Sequence, residues 1–180
     1  MKSTAMDSHL VKLRKELTDA TAGMAAEDLS WHLPGKWCAA EIMEHLYLTY
    51  TGTTKGFERV IAAGKPLVTP STPAKRIAQV ATLGIGFIPS GRTAPKSAQP
   101  EGMPAGQVRA EIEQKLVAMD EIIAKCEMQF GAKTKLLDHP ILGPLTGAQW
   151  RKFHLVHGKH HVKQIQRLRE EMKTRRAASG

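Results

Sequence analysis

Apolar residues recur at steps of three and four in four separate stretches of the chain, the spacing that places them on one face of an α-helix. No stretch shows the alternating pattern of a half-buried strand, and no internal repeat is visible. The predicted helices run from about Met6 to Gly23, from Cys38 to Gly64, from Gln107 to Phe130 and from Thr146 to Met172. These amphipathic helices predict an all-α fold, and specifically a four-helix bundle.

The connection between the second and third predicted helices is long and irregular. Residues 64–106 hold seven of the ten prolines and six of the fifteen glycines, so they cannot form one regular element. We expect a short helix over residues 74–83 and an irregular loop over residues 84–102, of the kind that often forms the wall of a site. The pattern predicts one domain over residues 1–172, followed by a basic tail over residues 173–180.

Length and composition narrow the class of protein. The 180-residue chain has the size of one domain, and it lacks the apolar run of about 18 residues that spans a membrane. Its first residues lack the apolar segment of a secretory signal. Cys38 and Cys126 lie far apart, without a Cys-x-x-Cys spacing. We therefore expect a cytoplasmic protein in which both cysteines are reduced.

The net charge of +9 is concentrated near the C-terminus, where residues 151–180 hold nine Lys or Arg against two Glu. Such a stripe could bind phosphate or an acidic protein, although it is more often the solvated face of a helix. Helix-turn-helix spacing and aromatic residues for base stacking are missing from the sequence. Sequence-specific binding of nucleic acid is therefore not favoured.

Histidine is concentrated in the fourth predicted helix, where four of the eight histidines lie within residues 154–161. His157 and His161 project from one helical face and can hold a metal ion together. Both lie on the apolar stripe, where a neutral imidazole needs a partner to offset desolvation. His45 lies on the inward stripe of the second helix, and a bundle can bring it opposite that pair. A lone core histidine is more often simply packed and hydrogen-bonded, but three with an open fourth position are typical of a catalytic metal site.

Two segments resemble a known family. Residues 37–46, WCAAEIMEHL, are similar to the W-S-x-x-E-x-x-x-H-L segment of DinB-like metal-binding four-helix bundles. Residues 139–164 carry HP-x-x-GPLT, then QW, then H-x-x-HH-x-x-Q, which resembles the C-terminal signature of an uncharacterised DinB-like subgroup. The resemblance implies that His45, His157 and His161 hold a divalent metal ion such as zinc or nickel. It also implies a reaction that uses a low-molecular-weight thiol, either thiol S-transfer or a thiol-cofactor-dependent isomerisation, or else hydrolysis.

Four further residues are candidates for roles at the site. Glu41 is expected to cap the second helix, or to serve as a hydrogen-bond acceptor for a ligand, as a fourth ligand or as a general base. Gln164 could orient a ligand or the substrate, whereas His160 points about a quarter-turn aside. Glu41 and Gln164 are the candidate catalytic residues. Cys38 stands where the family often has Ser or Thr, so it is either a tolerated cap or a thiol made reactive by the helix N-terminus.

The leading hypothesis is a divalent-metal-dependent enzyme acting on a small molecule, as a thiol S-transferase or a hydrolase. Lys159, Lys163 and Arg92 are the basic residues expected to attract an anionic substrate. The alternative is a non-enzymatic, metal-stabilised helical bundle that binds an acidic partner or nucleic acid. A third hypothesis is a dimerising bundle in which the histidines bind no metal. Under each of the three hypotheses the protein could form a homodimer.

Overall fold

Helices account for most of the chain. The computed structural model describes residues 5–89 and 93–178. The α-helices are α1 (Ser8–Thr21), α2 (Ala26–Ser30), α3 (Ala39–Ala63), α4 (Pro73–Gln79), α5 (Ala105–Phe130) and α6 (Gly147–Ala178), and the strands are β1 (Leu137–His139) and β2 (Gly143–Leu145). The predicted all-α class is confirmed, with one small sheet added. Within the described residues, none of the helices combines the length and the apolar character needed to cross a membrane.

The second predicted helix corresponds to α3, and local capping groups define both of its ends. The Cys38 Sγ accepts a hydrogen bond from the Glu41 backbone N–H at 3.4 Å, while a Glu41 carboxylate oxygen accepts one from the Cys38 backbone N–H at 2.8 Å. At the other end Gly64 adopts the left-handed conformation, with φ of 64°, which glycine reaches without steric cost. The predicted boundaries of this helix are confirmed.

The fourth predicted helix corresponds to α6, and it is longer than expected. Its start is confirmed, because the Thr146 hydroxyl and the Gln149 side chain form reciprocal hydrogen bonds with each other's backbone N–H, at 3.2 and 3.0 Å. The helix continues to Ala178, so residues 173–178 belong to α6 and do not form a separate tail. No proline or glycine interrupts the sequence there, and the helix simply extends past the core.

The four long helices bury their apolar faces against one another. The main packing is of α3 against α5 and of α1 against α6. Gly158 lies where α6 approaches α1 closely, and an added Cβ atom there would collide with the side chain of Leu13, which is fully buried. A glycine at this position of a long helix therefore allows two helices to come together.

We expect Gly158→Ala to lower the free energy of unfolding by about 1–3 kcal/mol, because the added Cβ atom would overlap the fully buried Leu13 side chain and force it to shift. The matched control is Gly52→Ala in α3, where an added Cβ atom meets nothing within 4 Å. This control should raise stability by up to about 1 kcal/mol through helix propensity alone. Thermal and urea unfolding of both variants measure the difference, and an equal gain in both would contradict the close approach.

The connection between α3 and α5 is more regular than expected. The short helix expected over residues 74–83 is confirmed as α4, followed by a π-helical turn, Val80–Ile85. A single turn of 3-10 helix, Lys96–Ala98, lies further along. The connection also touches the sheet, since the Leu67 backbone N–H donates to the Leu136 carbonyl at 2.9 Å.

The hairpin of β1 and β2 was not predicted, because residues 138–144 show only turn signals. Its strands pair antiparallel, with Leu137 opposite Leu145 and His139 opposite Gly143. The His139 Nδ1 accepts hydrogen bonds from the backbone N–H groups of two of the three turn residues, Ile141 and Leu142, both at 3.1 Å. One buried imidazole therefore closes the turn.

Candidate metal centre

Three histidines from two helices converge at one point. His45 is on α3, and His157 and His161 are one turn apart on α6. The His157 Nε2 lies 3.2 Å from the His45 Nε2 and 3.1 Å from the His161 Nε2. The structure thus brings together the three predicted ligands, with one potential ligand atom from each lying within 4.8 Å of the others.

The orientation of His45 is set by the connection between α3 and α5. Its Nδ1 lies 2.6 Å from the carbonyl oxygen of Ala98, at the end of the 3-10 turn. Because a carbonyl can only accept, His45 carries its hydrogen on Nδ1 and turns the Nε2 lone pair toward the other two histidines. Burial lowers the pKa of His45, while the hydrogen bond to Ala98 acts in the opposite direction.

The orientation of His161 is set by its own helix. Its Nδ1 donates to the Gln164 side-chain oxygen at 2.8 Å, and the Gln164 amide donates in turn to the His160 Nε2 at 3.3 Å. The Nε2 lone pair of His161 therefore also faces the centre of the cluster. Burial, with a smaller contribution from His45, lowers the pKa of His161 to about 4. The ring is neutral at physiological pH and is available as a ligand.

The third histidine is held by packing. The His157 ring is nearly parallel to that of Phe153, at 11° and with 5.4 Å between the ring centroids. Its Nδ1 is buried and has no hydrogen-bond partner in the part of the chain that the structure describes. Burial holds the pKa of His157 well below its usual value, and the neighbouring histidines lower it further.

The three histidines carry too few hydrogens for every Nε2 lone pair of the cluster to accept a hydrogen bond. Two of the three Nε2 atoms carry no hydrogen, and His157 can donate from its Nε2 to only one of them at a time. A buried acceptor without a donor is costly, whereas a divalent cation would bind all three Nε2 atoms together, with the His157 hydrogen then on Nδ1. Zinc–nitrogen bonds of about 2.0–2.1 Å place tetrahedral ligand atoms about 3.3 Å apart, close to the 3.1 and 3.2 Å that separate the His157 Nε2 from the other two. The residues present fit a metal ion.

A cavity of about 1010 Å³ opens onto the cluster. Its walls are largely apolar and include Trp37, Ile42, Phe87, Leu142, Phe153 and Leu168. His160 and Gln164 line it beside the metal-ligand candidates, as do the cations Lys36 and Arg167. If the three histidines hold an ion, its fourth coordination position would therefore face a space large enough for a small organic molecule.

A family model described as "Protein of unknown function (DUF1569)" matches residues 4–168. The chain belongs to this family. The DUF1569 match includes all three clustered histidines and stops within the C-terminal part of α6. No match to the chain was found among curated proteins or among solved structures. Because the DUF1569 description states no activity, the function has to be argued from the site itself.

Two of the three basic residues expected to attract a substrate to this DUF1569 site, Lys159 and Lys163, lie elsewhere. The Lys159 ammonium is 3.6 Å from the Glu16 carboxylate, on the side of α6 that faces α1. Neither Lys159 nor Lys163 is among the described residues that line the cavity. Arg92 lies outside the described residues.

Glu41 and Cys38 form the cap of α3 in this DUF1569 chain. Among the residues described, Glu41 belongs neither to the histidine cluster nor to the cavity wall. Burial raises the pKa of the Cys38 thiol, the opposite of what a reactive cysteine requires. The cap therefore accounts for both side chains, and a cysteine here replaces the usual hydroxyl.

Three buried polar residues of this DUF1569 protein, Glu44, His139 and His154, were given no role by the sequence analysis. Glu44 and His139 each bind backbone N–H groups, and His154, on α6, lies 3.1 Å from the Thr53 hydroxyl on α3. Burial lowers the pKa of His139 to about 4 and that of His154 to about 3. The sequence offered one signal, since His154 falls on the apolar face of α6 three residues before His157.

Proposed function

We propose that this DUF1569 protein is a divalent-metal-dependent enzyme that acts on a small molecule. One observation carries the proposal: the Nε2 atoms of three histidines converge on one point, with too few hydrogens to satisfy them, in the wall of a large cavity. Zinc and nickel are among the ions that suit an all-imidazole donor set.

The DinB-like resemblance supports the same function, and under this proposal α1, α3, α5 and α6 form a four-helix bundle of that type. The support is that both segments carrying the resemblance meet at the site, one through His45 and the other through His157 and His161. In such bundles metal sites are built in the core from side chains on facing helices.

The chain's own residues have distinct roles under this proposal. His45, His157 and His161 hold the ion, and Gln164 fixes the His161 ring while its amide lies in the cavity wall. When bound, a divalent cation acts as a Lewis acid that can activate water for hydrolysis or a thiol for S-transfer. Glu41 contributes by capping α3, which fixes the start of the helix that carries His45.

The cavity supports a substrate with an apolar body, such as a small thiol or the compound to which a thiol adds. Its apolar walls would exclude bulk water, and Lys36 and Arg167, which line it together with one carboxylate, Glu171, would favour an anionic group on the substrate. We place the protein in the cytoplasm, where the two free cysteines would stay reduced.

The basic surface of α6 gives the binding-protein alternative less support. Several of its cations already have partners within the chain: Lys173 with Glu170, Arg176 with Asp28, and Arg151 with Asp120 and Glu127. Side chains engaged in this way have less free charge to offer a nucleic acid or an acidic protein.

The metal content of the protein, purified without a histidine tag, tests the proposal. We expect near-stoichiometric zinc or nickel in the wild type, and its loss in His45→Ala and in the His157→Ala/His161→Ala double variant. The exposed His32 provides the control, since His32→Ala should keep the metal. Absence of metal after incubation with zinc and with nickel would overturn the proposal.

Turnover separates an enzyme from a metal-stabilised bundle. The metal-loaded wild type should catalyse thiol S-transfer or hydrolysis, and both chelation and His45→Ala should abolish the activity. Metal binding without turnover in either class of assay would instead favour the non-enzymatic alternative.

A further inference from the structure

Glu44 is a carboxylate buried to 3% exposure in the middle of a helix. One of its oxygens accepts the backbone N–H of Glu101 at 2.8 Å, and the other accepts those of Gly102 and Met103, at 3.1 and 2.9 Å. Among the described residues no cation forms an ion pair with it, so its charge is compensated by backbone dipoles. Glu44 therefore attaches the end of the long connection to α3.

The neighbouring residue, His45, contacts the same segment. Its Nδ1 bonds to the Ala98 carbonyl three residues before Glu101, so two consecutive residues of α3 hold residues 98–103 at two points. Residues 93–95, just upstream, line the cavity, and the Gln99 side-chain amide donates to the Ala94 carbonyl at 2.9 Å. The segment thus links the Glu44 carboxylate, the His45 ring and one cavity wall.

We propose that Glu44 is a positioning residue: by clamping residues 101–103 it holds the Ala98 carbonyl against His45, and so keeps His45 in the tautomer whose Nε2 can bind the metal. This inference rests on the proposed metal site for its functional consequence. The second nitrogen of a metal-binding histidine almost always donates to an acceptor, and at His45 a mobile acceptor would leave the ring free to rotate or to carry its hydrogen on Nε2. Glu44 is outside the cluster of three histidines, and both of its oxygens accept backbone N–H groups, so its role is not that of a ligand.

The decisive variant is Glu44→Gln, which keeps the size of the side chain. The single oxygen of a glutamine side chain can replace only one of the two Glu44 oxygens. The amide NH₂ group would then face a backbone N–H at the other position, and residues 101–103 would be held less firmly. If Glu44→Gln does not fold, Glu44→Asp serves in its place, because it keeps the charge but shortens the reach. The matched control is Asp138→Asn, where a carboxylate bonds the Thr69 backbone N–H at the opposite end of the same connection.

Two measurements are made on each folded protein. The first is zinc affinity, by competition with a chelator. The second is the His45 tautomer in the metal-free protein, by proton–nitrogen NMR of the imidazole rings. In Glu44→Gln we expect zinc affinity to fall by about 10-fold or more, the size of effect typical of groups that orient a metal ligand. We also expect His45 to gain a population protonated on Nε2, while Asp138→Asn changes neither quantity.

Unchanged zinc affinity, or an unchanged His45 tautomer, would overturn the positioning role. So would an equal loss of affinity in Asp138→Asn, since that would show a general effect of a loosened connection. The tautomer is read without metal, so it tests the clamp even if the wild type binds no ion. Failure of the proposed function and failure of this inference therefore give different results.

Discussion

We expect Asp120→Ala to lower the free energy of unfolding by about 3 kcal/mol, because it removes one side of a buried ion pair. Arg151 is 6% exposed, and its Nε donates to Asp120 at 2.6 Å, while a terminal nitrogen donates to Glu127 at 2.7 Å. The other Asp120 oxygen accepts the Asp7 backbone N–H at 2.8 Å, so one carboxylate joins α5, α6 and the start of α1. Urea denaturation of the variant measures the loss.

The control for this prediction is another acidic residue on α5. Glu113 pairs with Arg14 at 3.0 Å, but both side chains are largely exposed, and Glu113→Ala should cost less than about 1 kcal/mol. Equal losses in Asp120→Ala and Glu113→Ala would contradict a dominant role for burial.

Acid is expected to destabilise the protein well before its carboxylates titrate, because buried histidines stay neutral in the folded chain. His139 has its pKa lowered from 6.5 to about 4 by burial. The unfolded chain therefore binds more protons between these values, so stability is complete above pH 6.5 and falls as the pH drops toward 4. His139 alone contributes about 3 kcal/mol to this loss, and His154, whose pKa burial lowers to about 3, adds to the loss.

Replacing His139 by asparagine separates this effect from general acid denaturation. The asparagine oxygen can still accept the Ile141 and Leu142 N–H groups, but it does not titrate. His139→Asn should show a shallower decline of melting temperature between pH 6.5 and 4, even though it loses ring packing against Trp150 and Phe153. His32→Asn, at an exposed position, should keep the wild-type slope; the same slope in both variants would be evidence against the assignment.

The fold could be predicted where short-range interactions define it. The ends of α3 and α6 follow from Cys38, Glu41, Thr146 and Gln149, whose capping bonds span only three residues. The hairpin could not be predicted in this way, because three-residue strands are too short to show alternation. It is stabilised by long-range contacts, including the Gln79 side-chain amide, which donates to the Leu142 carbonyl at 2.6 Å.

The same distinction applies to the candidate site. The spacing of His157 and His161 places them on one face of a helix, and this could be predicted without tertiary information. That Glu44 points inward toward a distant segment could not, since its first partner lies 57 residues away in the chain. The cations that line the cavity, Lys36 and Arg167, could not be predicted either, because helix packing decides which side chains reach it.

By itself, the sequence determined four long amphipathic helices and a histidine pair on one of them, because helical periodicity and capping depend on neighbours within one or two turns. Only the tertiary structure decided that His45 meets that pair and that Ala98 and Gln164 orient the rings. It also decided that a cavity opens onto the three histidines. Convergence of this kind depends on how helices pack across the core, and no local period in the sequence encodes that packing.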